Sequence, residues 1–593
     1  MDRAGIVSST HEDHAAPPAR GNFRLLFSYI LPAGLALLLC LLVLRQEYVA
    51  GVGWEFAEYG TMARNLWRGG GAVSSAMLPY DLALKHDLVP SLRPPMALHN
   101  RNLLPVGLMA VSIKLFGERD GALILPHILA FLAFVLLTNH VERRCLPGTT
   151  VPVAATLLAC SPKVLFTALE CYPNVLYAAF FVPFLLLIGR MEEGSIGKGT
   201  LGGLFLLSGL SYLTRADFLM ALPLVLGYGL WRLRRRGVPA ALLAVVVGFG
   251  LWGSLEWVYS LRNFGTALRS DTLWTNLANL KYKTSWLCYV RLEHGELWRD
   301  YGGALLRRGL AALPASLRAL AALQVSWFGA PGKVLGILLM AVGGIALLAR
   351  GPRRPGSVTI LFVLLLVVQH ILVFTVTSPG TLRYLYWTLP LFGVLLHAGL
   401  RAVLNALEAA FRGGRQGRWA GVAAGIVVLA VATTATARAY SGKLRFYVGA
   451  VNAYYSAEHS DPAMRDVLEQ SLAVNYPALR DAVPGEKLIM SDEPAVAWYA
   501  DRLVLYLPLN RADFDAIEQD WFRLDYLYLG PTFWMEPEQP MNWVYRHYLA
   551  NPGGLVPAAR EEKLANFMGR FPEFTPWIRF ENGGILFRRK SGG

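Results

Sequence analysis

The sequence predicts a mainly α fold: a polytopic transmembrane helical bundle of about eleven crossings with a small extracytoplasmic C-terminal α/β domain. Three observations lead there. The 593 residues are 54% hydrophobic and only 16% charged, against about 25% charged in an average soluble protein. Apolar runs of about 18 residues or more recur, and runs of that length read as membrane-spanning helices. The last stretch of chain changes character, with dense charge and short alternating runs.

Apolar segments lie near 25–45, 121–139, 150–168, 172–189, 199–214, 217–231, 238–258, 333–349, 357–377, 384–400 and 419–437. Basic clusters set their direction. "RGNFR" precedes the first segment, Arg143 and Arg144 follow the second, and "RLRRR" follows the sixth. "RGPRRP" follows the eighth, and Arg401, Arg412, Arg415 and Arg418 the tenth. Placed on the cytoplasmic side, these clusters alternate without contradiction. The N-terminus is then inside and the C-terminus outside a plasma membrane crossed many times. A net charge of +15 would point to nucleic acid in a soluble protein. Here orientation in a membrane accounts for it, and no nucleic-acid partner is expected.

"LLPVGLMAVSIKLFG" (103–117) is apolar but contains Pro105 and Lys114. It falls short of the ~20 residues that span a bilayer and reads as a re-entrant or interfacial helix. The expected organisation is a cytoplasmic tail (1–24), a transmembrane module (25–437) and an outer α/β domain (438–593). The module has outer loops at 46–120 and 259–332, the second with an interfacial helix at "LRALAALQVSWF". In the tail, "EKLIMSDEPAVAWYADRLVLYLP" reads strand, helix, strand; "RLDYLYLG" and "GGILFRRK" read as further strands. Residues 1–19 are polar and no small-residue cleavage site follows the first apolar run, so no cleavable signal is expected. The five cysteines show no CxxC, which argues against a disulfide framework or a metal site.

The first outer loop opens with "GWEFAEYGTMARNLWRGGG". Phe56, Tyr59, Ala63, Leu66 and Trp67 make one apolar stripe at helical spacing. Glu55 stands at the helix start, where the dipole favours an ionised carboxylate by about 0.3–1 kcal/mol. Two readings compete. Glu55 caps a solvated helix lying on the bilayer, or it is a catalytic carboxylate, with Glu58 one turn along. Other ionisable groups gather at the same predicted outer face. They are His99, Asn100 and Arg101 in "ALHNRN", Glu170 in "TALECYPN", Arg215 and Asp217 in "TRADF", Arg262 and Asn263 in "SLRNFG", and Arg383 and Tyr384 in "TLRYLYW". Singly, each is an interfacial anchor. Together they suggest a cavity, because ionisable groups inside a membrane protein tend to face a bundle interior or water. Arginine there suits phosphate, whose oxygens its planar fork binds bidentately. There is no "GxxxxGK[ST]", "HExxH" or "GxSxG". A carboxylate base and an arginine clamp can move a sugar from a lipid phosphate to a hydroxyl or amine.

The order of these motifs resembles a known family. An acidic residue in the first outer loop is followed by "Y…ARNL…G", then "N-R-x-x-L-P…KLFG", "GL-x-x-L-TR", "RNFG", "RYLYW" and "AWYADRLVLYLP". The pattern is similar to the GT-C superfamily of integral-membrane glycosyltransferases, in the branch of protein O-mannosyltransferases and aminoarabinose lipid A transferases. The resemblance runs from about residue 22 to 440, with a looser match in the tail. It implies a polyprenyl-phosphate-sugar donor, an inverting single displacement and an extracytoplasmic site. It places Glu55 at the family's catalytic acid, although the family usually has aspartate there, often as an acidic pair. Arg383 and Arg262 become candidates for the donor phosphate. His99, Asn100 and Arg101 become candidates for the acceptor side, with Glu170 and Asp217 orienting the site by ion pairing. Lipid, polysaccharide and protein all remain open as acceptor, within a setting of membrane lipids. No soluble cofactor is expected; carboxylates and His99 offer ligands for a divalent ion, but no spacing demands one. Two other classes compete: a transporter or flippase for a lipid-linked saccharide, and a non-catalytic envelope scaffold. Transporters commonly carry internal repeats, and no convincing repeat is visible here.

Overall fold

A computed structural model describes residues 20–46, 54–86, 95–98, 101–147, 151–193, 196–235, 237–265, 287–289, 294–323, 329–349, 365, 382–411, 470–534 and 542–590. The expected segments at 357–377 (apart from Leu365) and 419–437, and the residues His99 and Asn100, lie outside them.

The chain begins with α1 (Arg20–Gln46), followed in the first loop by α2 (Trp54–Trp67), β1 (Ala76–Met77) and α3 (Pro79–His86). Then come α4 (Leu103–Phe116) and α5 (Asp120–Cys145). The run expected as one crossing at 150–168 is two short helices, α6 (Val153–Ala159) and α7 (Pro162–Leu169). The break is local chemistry. Pro162 pushes the residue before it out of the helical region, and Ser161 is extended at φ −73°, ψ 111°.

α8 (Pro173–Glu193), α9 (Lys198–Thr214), α10 (Phe218–Trp231) and α11 (Val238–Phe264) complete the first half of the bundle. α12 (His294–Leu323) starts well before the expected interfacial helix, and α13 (Gly329–Ala349) follows. A 3₁₀ segment (Leu382–Thr388) leads into α14 (Leu389–Phe411). Among the described residues, four helices are long and apolar enough to cross a membrane, and four shorter apolar helices accompany them. Their outward faces are apolar too: Leu243, Val247 and Leu251 on α11, and Val334, Leu335 and Leu338 on α13, are exposed. Water would penalise that arrangement and a bilayer favours it.

Glycine lets these helices touch backbone to backbone. A Cβ at Gly343 of α13 would lie 1.9 Å from the Leu395 carbonyl oxygen of α14, and one at Gly399 would lie 1.8 Å from that of Leu339. Small residues at such crossings replace the hydrophobic drive that lipid removes.

The C-terminal part holds α15 (Tyr476–Ala482), β2 (Leu488–Ser491), α16 (Ala495–Tyr499), β3 (Leu503–Tyr506), α17 (Arg511–Asp520) and β4 (Tyr526–Leu529). α18 (Asn542–Leu549), α19 (Arg560–Arg570), β5 (Phe574–Arg579) and β6 (Ile585–Arg589) finish the chain. The strand–helix–strand expected over 486–508 is present as β2–α16–β3, and β4 and β6 also stand where the sequence put strands. The sheet order is β1-β3-β2-β4-β6-β5. β1 is the unexpected member. It comes from the first loop, more than 400 residues away in the chain, and pairs parallel with β3, Ala76 opposite Val504. Its two residues carry too little pattern to read as a strand.

Candidate active site

α2 is not the solvated interfacial helix that its stripe allows. Phe56, Ala57, Glu58, Tyr59, Thr61, Met62, Ala63 and Arg64 are all buried. The helix is enclosed by α4, α5 and the C-terminal domain. Gly60 marks the tightest point, where a Cβ would lie 2.9 Å from Leu123 of α5 and 3.3 Å from Trp498 of α16. α4 supplies Val106, Met109 and Ile113 to the same core while Val111, Leu115 and Phe116 stay exposed.

Glu55 lies at the start of this helix with its side chain 15% exposed. Arg383 donates from Nη2 to its Oε1 at 3.0 Å. The Arg383 guanidinium also lies over the Tyr172 ring at 3.9 Å and near that of Tyr384 at 5.6 Å. Tyr384 in turn receives Arg215 on its ring at 4.4 Å, and Arg215 is ion-paired with Asp217 at 2.8 Å. One turn along α2, Glu58 accepts from Arg101, whose Nε is at 2.7 Å. Arg101 also sits 5.3 Å from the centre of the Tyr59 ring.

The turn from α7 to α8 brings in Glu170. Cys171 has φ +60°, a left-handed conformation that costs a non-glycine residue energy and turns the chain sharply enough to present Glu170 and Tyr172. Burial pushes the Glu170 carboxyl up to about 8; Arg383 opposes that shift and Glu55 adds to it. Burial also pushes Glu58 up to about 7 against the pull of Arg101, with Asp81 and Glu55 adding to the rise. The structure therefore brings together Glu55, Glu58, Arg101, Glu170, Arg215, Asp217, Arg383 and Tyr384 of the expected set.

Arg262 and Asn263 do not join them. Arg262 is exposed at the end of α11, and Asn263 donates back to the Tyr259 carbonyl at 2.8 Å. Their helix extends to Phe264, so the "RNF" that reads as a loop motif is a last helical turn. Sequence reasoning missed Tyr59 and Tyr172, the aromatic floors under two of the arginines. Tyr172 stands two residues from Glu170 in a stretch already singled out, and Arg–aromatic stacking is common at such sites. Among the described residues no group of three or more His, Cys, Asp or Glu is placed to hold a metal ion.

Chemically, this cluster sets four carboxylates, those of Glu55, Glu58, Glu170 and Asp217, beside three arginines and their aromatic supports. It can accept a proton at Glu55 and balance an anion at Arg383 and Arg215.

Comparison with known proteins agrees with this architecture. The family model of dolichyl-phosphate-mannose-protein mannosyltransferases matches residues 103–257. The structure is similar to that of ArnT from Cupriavidus metallidurans bound to undecaprenyl phosphate. That pair has 14% identity and a TM-score of 0.53, covering 97% of this chain and 99% of that one. It is also similar to AglB, the oligosaccharyltransferase of Archaeoglobus fulgidus, in complex with an inhibitory peptide and a dolichol-phosphate. Here identity is 12% and the TM-score 0.53, over 91% of this chain and 74% of that one. The Archaeoglobus fulgidus oligosaccharyltransferase in complex with Zn and sulfate gives 14% identity and a TM-score of 0.51, over 90% of this chain and 73% of that one. A search of the curated proteins by sequence found no match. The chain thus shares the overall fold of these integral-membrane glycosyltransferases.

Proposed function

We propose that this protein transfers a sugar from a polyprenyl-phosphate donor to an acceptor of the cell envelope, on the outer face of the plasma membrane. Its N-terminus is then cytoplasmic and its C-terminal domain extracytoplasmic. The observation that carries the reading is the Glu55–Arg383 pair, set beside Glu170, Arg215 and Tyr384. One half of the pair is a base and the other an anion receptor. The donor phosphate competes with Glu55 for Arg383. Its arrival releases the carboxylate, which then takes the proton of the acceptor hydroxyl or amine. The acceptor attacks the anomeric carbon as the bond to the phosphate oxygen breaks, with inversion. Arg383 and Arg215 take up the charge of the leaving lipid phosphate, supported by Tyr172 and Tyr384. Glu58, buried and held by Arg101, keeps α2 in register rather than acting as the base. Undecaprenyl phosphate on ArnT and dolichol-phosphate on AglB support a polyprenyl-phosphate donor, and the burial of Glu58 supports an enclosed site.

The test is mass spectrometry of envelope glycolipids, polysaccharides and glycoproteins from a deletion strain carrying wild type or Glu55→Gln. One sugar substituent disappears in the deletion and returns only with wild type. Loss of a general base lowers rates by about 10²–10⁴-fold. Restoration by Glu55→Gln refutes Glu55 as the base. No sugar change in the deletion refutes the transferase reading, and lipid translocation in liposomes then tests the transporter alternative.

A further inference from the structure

The first turn of α8 contains a side chain that the fold itself does not use. Asn174 is 3% exposed, yet neither its Nδ2 nor its Oδ1 has a hydrogen-bond partner among the described residues. Four residues earlier, the inner oxygen of Glu170, Oε2, is buried and unpartnered in the same way. Buried amides and carboxyls without partners are uncommon because each forfeits the hydrogen bonds it had in water. A leucine would fill the position of Asn174 without that penalty.

The placement of Asn174 follows from helical periodicity. Residues 174, 177 and 181 share one face of α8. On that face Tyr177 stacks with Phe181 at 5.0 Å, and Phe181 meets Trp387 edge-on at 5.1 Å. Just before the helix, Tyr172 underlies Arg383. The face therefore packs beside the 3₁₀ segment that carries Arg383 and Trp387, and in the chain Asn174 falls between Tyr172 and Tyr177. Asn174 is thus two residues from Tyr172, the ring under Arg383 of the Glu55–Arg383 pair.

An unpaired amide offers two donors and an acceptor within one group. A phosphate would call for cations in that position. A vicinal diol fits, because each hydroxyl both donates and accepts, and a carboxyl alongside adds a further partner. We infer that Asn174 and Glu170 form the subsite for the hydroxyls of the transferred sugar, with Asn174 selecting among sugars. This rests on the transferase reading above.

The test uses the full-length protein in lipid nanodiscs and measures binding of undecaprenyl phosphate, bare or carrying a hexose, a pentose or an aminopentose. Wild type binds one of the sugar-bearing lipids about 10–100-fold more tightly than the bare lipid, the worth of one or two hydrogen bonds that are otherwise unmade. Asn174→Leu abolishes that increment, leaves bare-lipid binding in place and unfolds at the same temperature or higher. Asn174→Gln, which keeps the amide on a longer arm, shifts the preference among the sugars. An undiminished increment in Asn174→Leu overturns the inference, the amide then holding only water. Joint loss of bare-lipid binding and thermal stability overturns it too, since the amide would then be structural. Bare-lipid binding by wild type with no increment for any sugar overturns the subsite alone. No binding of any of the lipids overturns the transferase reading along with it.

Discussion

Removing Arg64 should loosen the helix that carries Glu55. Arg64 is 3% exposed and donates 2.8 Å hydrogen bonds to the carbonyls of Ala497 and Trp498. These carbonyls end α16, where a helix leaves acceptors unfilled. The guanidinium also pairs with Asp501 at 2.8 Å and lies 4.9 Å over the Trp498 ring. Two hydrogen bonds from a charged donor contribute about 1.5–3 kcal/mol each. The Asp501 pair adds under about 1 kcal/mol, because Asp501 is 40% exposed and screened. Arg64→Ala therefore costs about 4 kcal/mol locally, about a thousandfold in the opening equilibrium. Hydrogen exchange of amides 56–64, compared between wild type and variant in nanodiscs, reads that equilibrium directly. Arg64→Lys keeps the charge but loses the planar fork and should fall between them. An acceleration below about tenfold in Arg64→Ala would show that bundle packing alone holds α2, and the clamping role of the C-terminal domain would be refuted.

Four further outcomes are expected. The buried Glu170 carboxyl, raised from 4.5 to about 8, contributes stability that is fully present below pH 4.5 and is lost as pH rises through 8. The loss is of order a few kcal/mol, and Glu58 acts in the same direction. Thermal unfolding should therefore fall in midpoint from pH 5 to 9, and Glu170→Gln should flatten that fall; an unchanged slope refutes the burial argument. Gly399→Leu forces α13 and α14 apart and should abolish recovery of folded protein by gel filtration, whereas a wild-type yield would show that the crossing tolerates a side chain. Glu142, fully buried, accepts from His397 and from the Ala154 and Ala155 amides at the start of α6. Glu142→Ala leaves these donors unfilled and should destabilise by about 3–5 kcal/mol, measured as a drop in denaturation midpoint; a drop equivalent to under about 1 kcal/mol would show that water replaces the carboxylate. Asp120 receives Trp498 Nε1 at 2.8 Å and Tyr499 Oη at 2.6 Å. Asp120→Ala should expose α16 to proteolysis while leaving β2–β4 protected, and an unaltered cleavage pattern would show this contact to be dispensable.

The bundle was legible because a bilayer imposes a composition rule that a single sequence displays. Long apolar runs with basic flanks appear whatever their neighbours are, and α1, α5, α8, α9, α10, α11 and α13 stand near the expected places. The break at Ser161–Pro162 carries a local signal, since proline restricts the residue before it, yet the apolar run masks it. The candidate site was legible only as a cluster of charged residues that are costly near a membrane. Arg262 shows the limit of that argument. Its charge qualifies it, but one more helical turn carries it outward.

Sequence alone determined that this chain is a membrane-spanning helical protein with an α/β tail, and which acids and arginines compete for its site. Both follow from local properties: apolar length, periodicity and the cost of a charge. Tertiary structure decided which of those charges meet. Glu55 finds Arg383 across 328 positions, and Arg64 finds α16 across more than 430. It also decided that α2 is enclosed rather than wet, because β1 joins a sheet whose other strands lie at the far end of the chain. No window of sequence contains such pairings. They are set by the global packing that buries the apolar faces of bundle and sheet together, and that packing gives the carboxylates of α2 their dry, arginine-lined surroundings.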